Sequence, residues 1–146
     1  PEVVRYKARL VYQRNNRTSE AVEEDVYTPV LAKEAFKILL QVAASRGYYV
    51  THIDVVCAFL NGPVYRDIYI RLPKDVIDDG GLVRKLYRAL YGLEEASKRW
   101  NETFHRFMIK YDFHPSVPDP CLYLRDDGMM CGVHVDDALV VGPDQR

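Results

Sequence analysis

The stretch that most constrains this chain is residues 131–142, in which two adjacent carboxylates, Asp136 and Asp137, interrupt an otherwise apolar run. An unpaired carboxylate inside a buried strand would cost several kcal/mol. One interpretation is a β-hairpin with the aspartates at its tip, since Asp suits tight turns. The other is a carboxylate pair that binds divalent cations, because hard cations prefer oxygen ligands. This second interpretation requires a third carboxylate from a neighbouring strand.

Asp54 is the candidate for that third carboxylate. It stands near the end of residues 48–56, a segment of β-branched and aromatic residues that predicts a strand. The competing interpretation is an aspartate that caps a strand-to-helix corner.

Residues 3–12 alternate basic and apolar side chains, which predicts a strand with one basic face that includes Lys7 and Arg9. Such a strand is either a solvated edge strand, where cations discourage pairing with other chains, or a strand that directs cations toward phosphates.

Apolar residues at helical spacing predict a helix over residues 30–44, capped by Thr28, with Pro29 in its first turn and Gly47 at its end. A second amphipathic helix follows Gly92. Its recurring apolar residues are expected in the core: Trp100, Phe104, Phe107 and Met108. Its opposite face is basic.

Alternation and turn residues predict further strands at residues 65–72, 82–86, 121–124, 129–135 and 138–141, with a hairpin turn at residues 125–128. The length of 146 residues is enough for one domain with a hydrophobic core. The net charge of −1 counts against a generally basic nucleic-acid binder. Three cysteines without CxxC spacing disfavour a zinc site or a disulfide framework. No apolar run is long enough to span a membrane.

Four blocks occur in a fixed order: KARLV at residues 7–11, DVVCAFLNG at 54–62, LYGLEEASKRW at 90–100 and HVDD at 134–137. Supporting pieces are YTPV at 27–30, IYIRLP at 68–73 and DPCLY at 119–123. Together they resemble the reverse transcriptase, or RNA-dependent DNA polymerase, of copia-type retrotransposon Pol polyproteins. The resemblance covers nearly the whole chain.

The resemblance implies an α+β fold, that of a right-hand polymerase in which residues 1–146 form the fingers and palm. It also implies a small antiparallel palm sheet backed by helices, without the thumb or RNase H region. It implies nucleotidyl transfer from a dNTP to a primer 3′-hydroxyl on an RNA or DNA template, with two Mg²⁺ ions, or Mn²⁺ in their place, held by Asp54, Asp136 and Asp137. Asp137 would be the lesser ligand.

Other roles carried over by the resemblance concern the nucleotide and the template. Phe59 would be a steric gate under the incoming sugar, or else a core phenylalanine. Lys7 and Arg9 would reach the triphosphate, and Glu95 would lie at the nucleotide. A last group would line the template side: Gly92, Lys98 and Arg99. Expected partners are the template-primer, dNTP and the rest of the polyprotein, including the integrase, in a cytoplasmic virus-like particle or the nucleus.

The chain departs from the family pattern YGLKQAPRAW, because Glu95 replaces glutamine and Ser97 replaces proline, and from YVDD, because His134 replaces tyrosine. A carboxylate cannot donate to a nucleotide as an amide can. These departures leave open an inactive or co-opted relic that acts as a structural or binding module. A third alternative is an unrelated α/β fold with turn aspartates, which predicts Asp54 far from Asp136.

Overall fold

The computed structural model describes residues 8–13, 27–73 and 82–143. In these ranges the elements are, in chain order, α1 (Lys33–Arg46), β1 (Tyr49–Asp54), a short 3-10 helix (Ala58–Asn61), β2 (Tyr69–Arg71), β3 (Val83–Lys85), α2 (Ala96–Lys110), β4 (His114–Pro115), β5 (Leu122–Leu124), β6 (Met130–His134) and β7 (Asp137–Gly142). The α+β class predicted from the sequence is confirmed. No helix in the described ranges is long and apolar enough to cross a membrane.

Five strands form an antiparallel sheet in the order β1-β7-β6-β5-β4, and β2 and β3 form a separate antiparallel pair. The larger sheet pairs β1 with β7, although β1 ends at Asp54 and β7 begins only at Asp137. This pairing positions the candidate site.

The two long helices cover opposite faces of the larger sheet. Because strand residues alternate between faces, Cys131, Val133 and Ala138 pack with α2, while Val141 packs with α1. On α2 the buried residues recur every fourth position, at Ala96, Trp100, Phe104 and Met108. Phe107, which its helical spacing predicted in the core, is exposed, because it lies outside that stripe.

Helix α1 begins later than the sequence pattern suggests. The predicted start at residue 30, with a Thr28 cap and Pro29 in the first turn, is wrong, since the N-cap residue is Ala32. The Leu31 N–H donates to the Val133 carbonyl of β6 at 3.2 Å, and Ala32 has an extended backbone with a ψ of 145°, so the helix begins only after it. The buried Asp119 carboxylate then accepts from Ala32 N–H at 2.8 Å and Cys121 N–H at 2.9 Å. A distant carboxylate therefore satisfies the N–H of the N-cap residue, although no side chain caps the N–H groups of the first turn.

Two predicted strands are shorter than expected or absent. The strand predicted over residues 65–72 is observed only at Tyr69–Arg71, and its partner β3 is equally short. In the described part of the predicted N-terminal strand, Val11 forms only an isolated parallel bridge to Tyr91. Tyr91 belongs to no strand and is followed by a turn at Gly92, so the pairing does not extend into a ladder.

Candidate active site

The β6–β7 hairpin carries the two adjacent aspartates. His134 pairs with Asp137, which leaves Val135 and Asp136 as a two-residue loop. Val135 has a φ of 61°, a conformation that primed hairpin turns require and that β-branched residues rarely adopt. The hairpin turn predicted from the sequence is therefore confirmed, and the two carboxylates of the alternative interpretation lie at this same turn.

Strand β1 brings the third carboxylate to this hairpin. Asp54 is the direct cross-strand partner of Asp137, and the Val55 N–H donates to the Asp136 carbonyl at 2.8 Å. Asp54 ends its strand but does not cap the following 3-10 helix, whose N-cap is Cys57. An unrelated fold with Asp54 far from Asp136 is excluded by this register.

Asp137 has a partner of its own. His52 Nε2 lies 2.9 Å from Asp137 Oδ1, and both side chains are exposed. His52 and Asp54 are two residues apart on β1 and so share one face of the sheet with Asp137. Asp137 is thus directed toward an imidazole rather than left free, a feature that the sequence did not signal.

A cleft of about 540 Å³ brings Asp54 and Asp136 together with Arg9 and Tyr91. The other described residues that line the cleft are Ala8, Leu10, Val55, Val56, Cys57, Leu60 and Leu90. The cleft therefore places two carboxylates and one guanidinium around the same volume. Lys7 lies outside the described residues.

The Tyr91 ring forms an aromatic wall of the cleft and contacts two other side chains. The Arg9 guanidinium lies 5.2 Å from the centroid of the Tyr91 ring. Phe59 is half-buried, and its ring centroid lies 5.2 Å from that of Tyr91 in an edge-on geometry. Tyr91 lines the cleft, whereas Phe59 contacts the Tyr91 ring and packs against the core without lining the cleft.

Two contacts fix the surroundings of this wall and of the hairpin turn. The Tyr12 N–H donates to the Tyr91 carbonyl at 2.7 Å, and a Cβ on Gly92 would lie 2.5 Å from the Tyr12 carbonyl oxygen. Gly92, with a φ of 84°, is thus required by a close backbone approach. At the hairpin turn, Trp100 Nε1 donates to the Val135 carbonyl at 2.6 Å.

The remaining predicted residues lie on and before α2. Glu95 is only 3% exposed, and its Oε2 lies 3.2 Å from Arg66 Nε, while its Oε1 has no hydrogen-bond partner among the described residues. Lys98 is half-buried in the first turn of α2. Arg99 lies over the Tyr65 ring at 4.8 Å and 3.3 Å from Glu102.

Across residues 8–13, 27–73 and 82–143, no group of three or more His, Cys, Asp or Glu side chains is arranged to hold a metal ion. The structure brings Asp54 to Asp136 and Asp137 but does not gather all three carboxylates into one ligand cluster. Glu95 faces Arg66, away from the described lining of the carboxylate cleft.

Comparison with known proteins identifies the family. Residues 2–146 match the family described as "Reverse transcriptase (RNA-dependent DNA polymerase)". The chain is 32% identical over 150 residues to the retrovirus-related Pol polyprotein from transposon TNT 1-94 of Nicotiana tabacum, covering 99% of this chain and 11% of that protein. It is 34% identical over 145 residues to the Pol polyprotein from transposon RE1 of Arabidopsis thaliana, covering 96% and 10%.

No solved structure matches the chain. The chain spans about a tenth of the length of the curated relatives it matches. With the family matched along nearly its whole length, the chain belongs to the reverse transcriptase (RNA-dependent DNA polymerase) family and is a domain of the copia type, as its motifs indicated.

Proposed function

We propose that this chain is the fingers and palm of an RNA-directed DNA polymerase that transfers a nucleotide from a dNTP to a primer 3′-hydroxyl on an RNA or DNA template. The observation that carries the proposal is the register that sets Asp54 opposite Asp137, with Asp136 in the adjoining turn and in the same cleft as Asp54. The antiparallel sheet, with a helix on each face, would be the palm.

The donor set of the cleft fits Mg²⁺. Asp54 and Asp136 offer only carboxylate oxygens, and Mg²⁺ is commonly held by one or two carboxylates together with substrate phosphates and water. The two side chains need not form a complete cage, because the nucleotide triphosphate supplies further oxygens. When bound, a pair of Mg²⁺ ions would neutralise the charge that develops on the attacking and leaving oxygens.

The protein groups act by position and charge. Asp54 and Asp136 would hold the metals at the end of the sheet, and Asp137, already bonded to His52, would be the lesser ligand. Arg9 places a permanent positive charge in the same cleft, where a triphosphate would be drawn. We extend the same role to Lys7.

The aromatic wall would limit the space beside the sugar. Tyr91 lines the cleft and Phe59 supports its ring, so the steric gate against a 2′-hydroxyl would depend on both rings rather than on Phe59 alone. Gly92, Lys98 and Arg99 would face the template. Glu95 would act near the nucleotide only through Arg66, which it pairs with.

The partners follow from the reaction and from the relatives. A template-primer and a dNTP are its substrates, and the names of the relatives place their reverse transcriptase segments in Pol polyproteins. We propose the same context for this chain, with thumb, RNase H and integrase segments elsewhere in the polyprotein. Its site of action would be a cytoplasmic virus-like particle or the nucleus.

The test is Mg²⁺-dependent dNTP incorporation on an RNA template with a DNA primer, using the chain alone and the chain extended through its downstream reading frame. Asp136→Asn should abolish incorporation, whereas Asp126→Asn should not. Asp126 is a matched control because it lies in the turn of the other hairpin, between β5 and β6. Incorporation that survives Asp136→Asn would refute the metal assignment.

A relic that keeps only the fold is the second candidate. The observation that favours it is Glu95, whose buried carboxylate pairs with the largely exposed Arg66 and stands in place of the amide donor expected at the nucleotide. The relic predicts no incorporation from either form of the chain, and none after Glu95→Gln combined with His134→Tyr.

A further inference from the structure

A small cavity lies beside the turn that carries Asp136. Its volume is about 90 Å³, and it lies between α2, strand β6 and the chain just before α1. Its lining includes Val30, Ser97, Trp100, Phe104, Val133 and Val135. We call this space the turn cavity, because Val135 belongs to the two-residue loop of the β6–β7 hairpin.

The turn cavity is uncharged and mainly apolar. The buried rings of Trp100 and Phe104 form part of its wall. Its polar side chains are Thr28, Ser97 and Asn101, and no charged side chain lies among the described residues that line it. An ion placed here would lose its hydration without gaining a compensating charge. The lining therefore suits an uncharged, largely apolar molecule.

Water is a poor match for the turn cavity. One water takes up about 30 Å³ in the liquid, so the space would hold about three, and each would need about two to four polar partners. The Val133 N–H already donates to the Cys121 carbonyl at 2.9 Å, and the Val133 carbonyl accepts from Leu31 at 3.2 Å. The Val135 carbonyl accepts from Trp100. One apolar molecule of about four heavy atoms fits this volume and this lining better.

Ser97 is one reason that the space is open. Serine stands at this position where the family pattern has proline, and a proline ring has more carbon atoms than a serine side chain. Ser97 is the second residue of α2, where a backbone N–H has no intrahelical acceptor, so proline is compatible with the helix. A chain with the family residue would therefore fill part of the turn cavity that this chain leaves open.

We propose that the turn cavity binds a small, uncharged, apolar molecule of about the size of chloroform. Val30 is 46% exposed, so its side of the cavity is open to solvent and gives the molecule a way in. The bound molecule contacts both Trp100 and Val135, the two residues that the 2.6 Å hydrogen bond joins at the turn. Binding therefore restrains the backbone next to Asp136.

The test uses the fluorescence of Trp100, which is the only tryptophan in the chain and lines the turn cavity. Chloroform is the probe, since its chlorine atoms quench indole fluorescence. Quenching should saturate with a Kd on the order of 1 mM, within the affinity per heavy atom that small ligands reach. Trichloroacetate, which adds a charge to the same trichloromethyl group, should quench only in proportion to its concentration. In the ¹⁵N-labelled chain, chloroform should shift the amide signals of Val135 and Asp136 with the same Kd.

Two variants reduce the space. Ser97→Pro and Val133→Ile should each weaken chloroform binding by about 5- to 150-fold, because the larger side chain takes up part of the cavity. Val140→Ile is the matched control and should leave the Kd unchanged, since Val140 packs against the same core cluster from the neighbouring strand but does not line the turn cavity. Circular dichroism verifies folding, and if Ser97→Pro fails to fold, Val133→Ile decides the result.

Quenching by chloroform that never saturates, or that trichloroacetate matches, would overturn the proposal. So would saturable quenching that is unchanged in Ser97→Pro and Val133→Ile, since the molecule would then bind elsewhere. Because the assay needs neither metal nor dNTP, its result is independent of the polymerase function.

Discussion

Trp100 Nε1 on α2 donates a hydrogen bond of 2.6 Å to the carbonyl oxygen of Val135, the residue before Asp136. Val135 holds a φ of 61° that costs about 1–3 kcal/mol in a β-branched residue. The indole therefore holds the carbonyl of a strained turn whose next residue is a candidate metal ligand. This contact joins the helix, the hairpin and the site.

Trp100→Phe should lower the free energy of unfolding by about 1–3 kcal/mol, because it leaves the Val135 carbonyl without its donor. If the turn needs this anchor, Asp136-dependent incorporation should fall further than the loss of folded protein explains. Chemical denaturation measures the first effect and primer extension the second. Phe107→Leu is the control, since Phe107 is exposed on the same helix. Equal stability of the two variants would contradict the anchoring role.

Gly92→Ala should destabilise the chain by about 2–5 kcal/mol, since it combines a positive φ with a Cβ 2.5 Å from the Tyr12 carbonyl. Gly47→Ala separates the two effects, because Gly47 has a φ of 64° but an added Cβ there would meet no atom within 4 Å. It should cost only about 1–2 kcal/mol. Thermal or chemical denaturation compares the pair, and equal losses would show that the approach of Tyr12 is unimportant.

Alkaline pH should destabilise the core. Burial raises the pKa of the Cys121 thiol to about 11 and of the Cys131 thiol to about 12, and burial also raises the pKa of Tyr123 to about 12. Between the unfolded and folded pKa values, the folded chain retains protons that the unfolded chain has lost. The free energy of unfolding should therefore be at its full value below about pH 9 and fall as the pH rises above it.

Denaturation at a series of pH values measures this decline, and Cys131→Ala should make it shallower. Thiol alkylation of the folded chain gives an independent check. The exposed Cys57 should react rapidly, and the buried Cys121 and Cys131 slowly. Three equal alkylation rates, or a stability that is constant through this pH range, would contradict the prediction.

The Glu95–Arg66 pair should show measurable coupling in a double-mutant cycle with Glu95→Gln and Arg66→Gln. We expect about 0.5–1.5 kcal/mol, because Glu95 is buried while Arg66 is largely exposed. The exposed pair Lys85–Asp67 should give less in the same cycle. We also expect that Glu95→Gln alone does not increase incorporation, since the new amide would still face Arg66. An increase would show instead that residue 95 reaches the nucleotide.

Local sequence patterns were sufficient for the parts of the fold that depend on local chemistry. The strand predicted over residues 48–56, the hairpin at Asp136 and the helix end at Gly47 follow from periodicity and turn residues, and the structure confirms them, with the strand ending two residues earlier, at Asp54. The family resemblance implied that Asp54, Asp136 and Asp137 lie together, but the register that pairs Asp54 with Asp137 is seen only in the structure, since residues so far apart in the chain leave no local signal of it.

The features that sequence patterns missed depend on contacts between distant segments. Asp119 accepts the N–H of Ala32, the residue before α1, from 87 positions away, and nothing near residue 32 indicates it. The aromatic periodicity placed Trp100 in the core but could not reveal that its N–H reaches Val135. Tyr91 stands in a motif, yet only the packing of Phe59 and Arg9 around its ring shows that it lines the cleft. Likewise, His52 gave no sign of its bond to Asp137.

A titration of the ¹⁵N-labelled chain with Mn²⁺ tests most directly whether Asp54 and Asp136 hold divalent metal at the end of the sheet, because it does not require activity. The paramagnetic ion should first broaden the amide signals of residues 54–57 and 134–138, from both strands at once. Asp54→Asn and Asp136→Asn should each weaken this broadening, and Asp126→Asn should not. Broadening centred elsewhere, or unaffected by either substitution, would contradict the metal assignment.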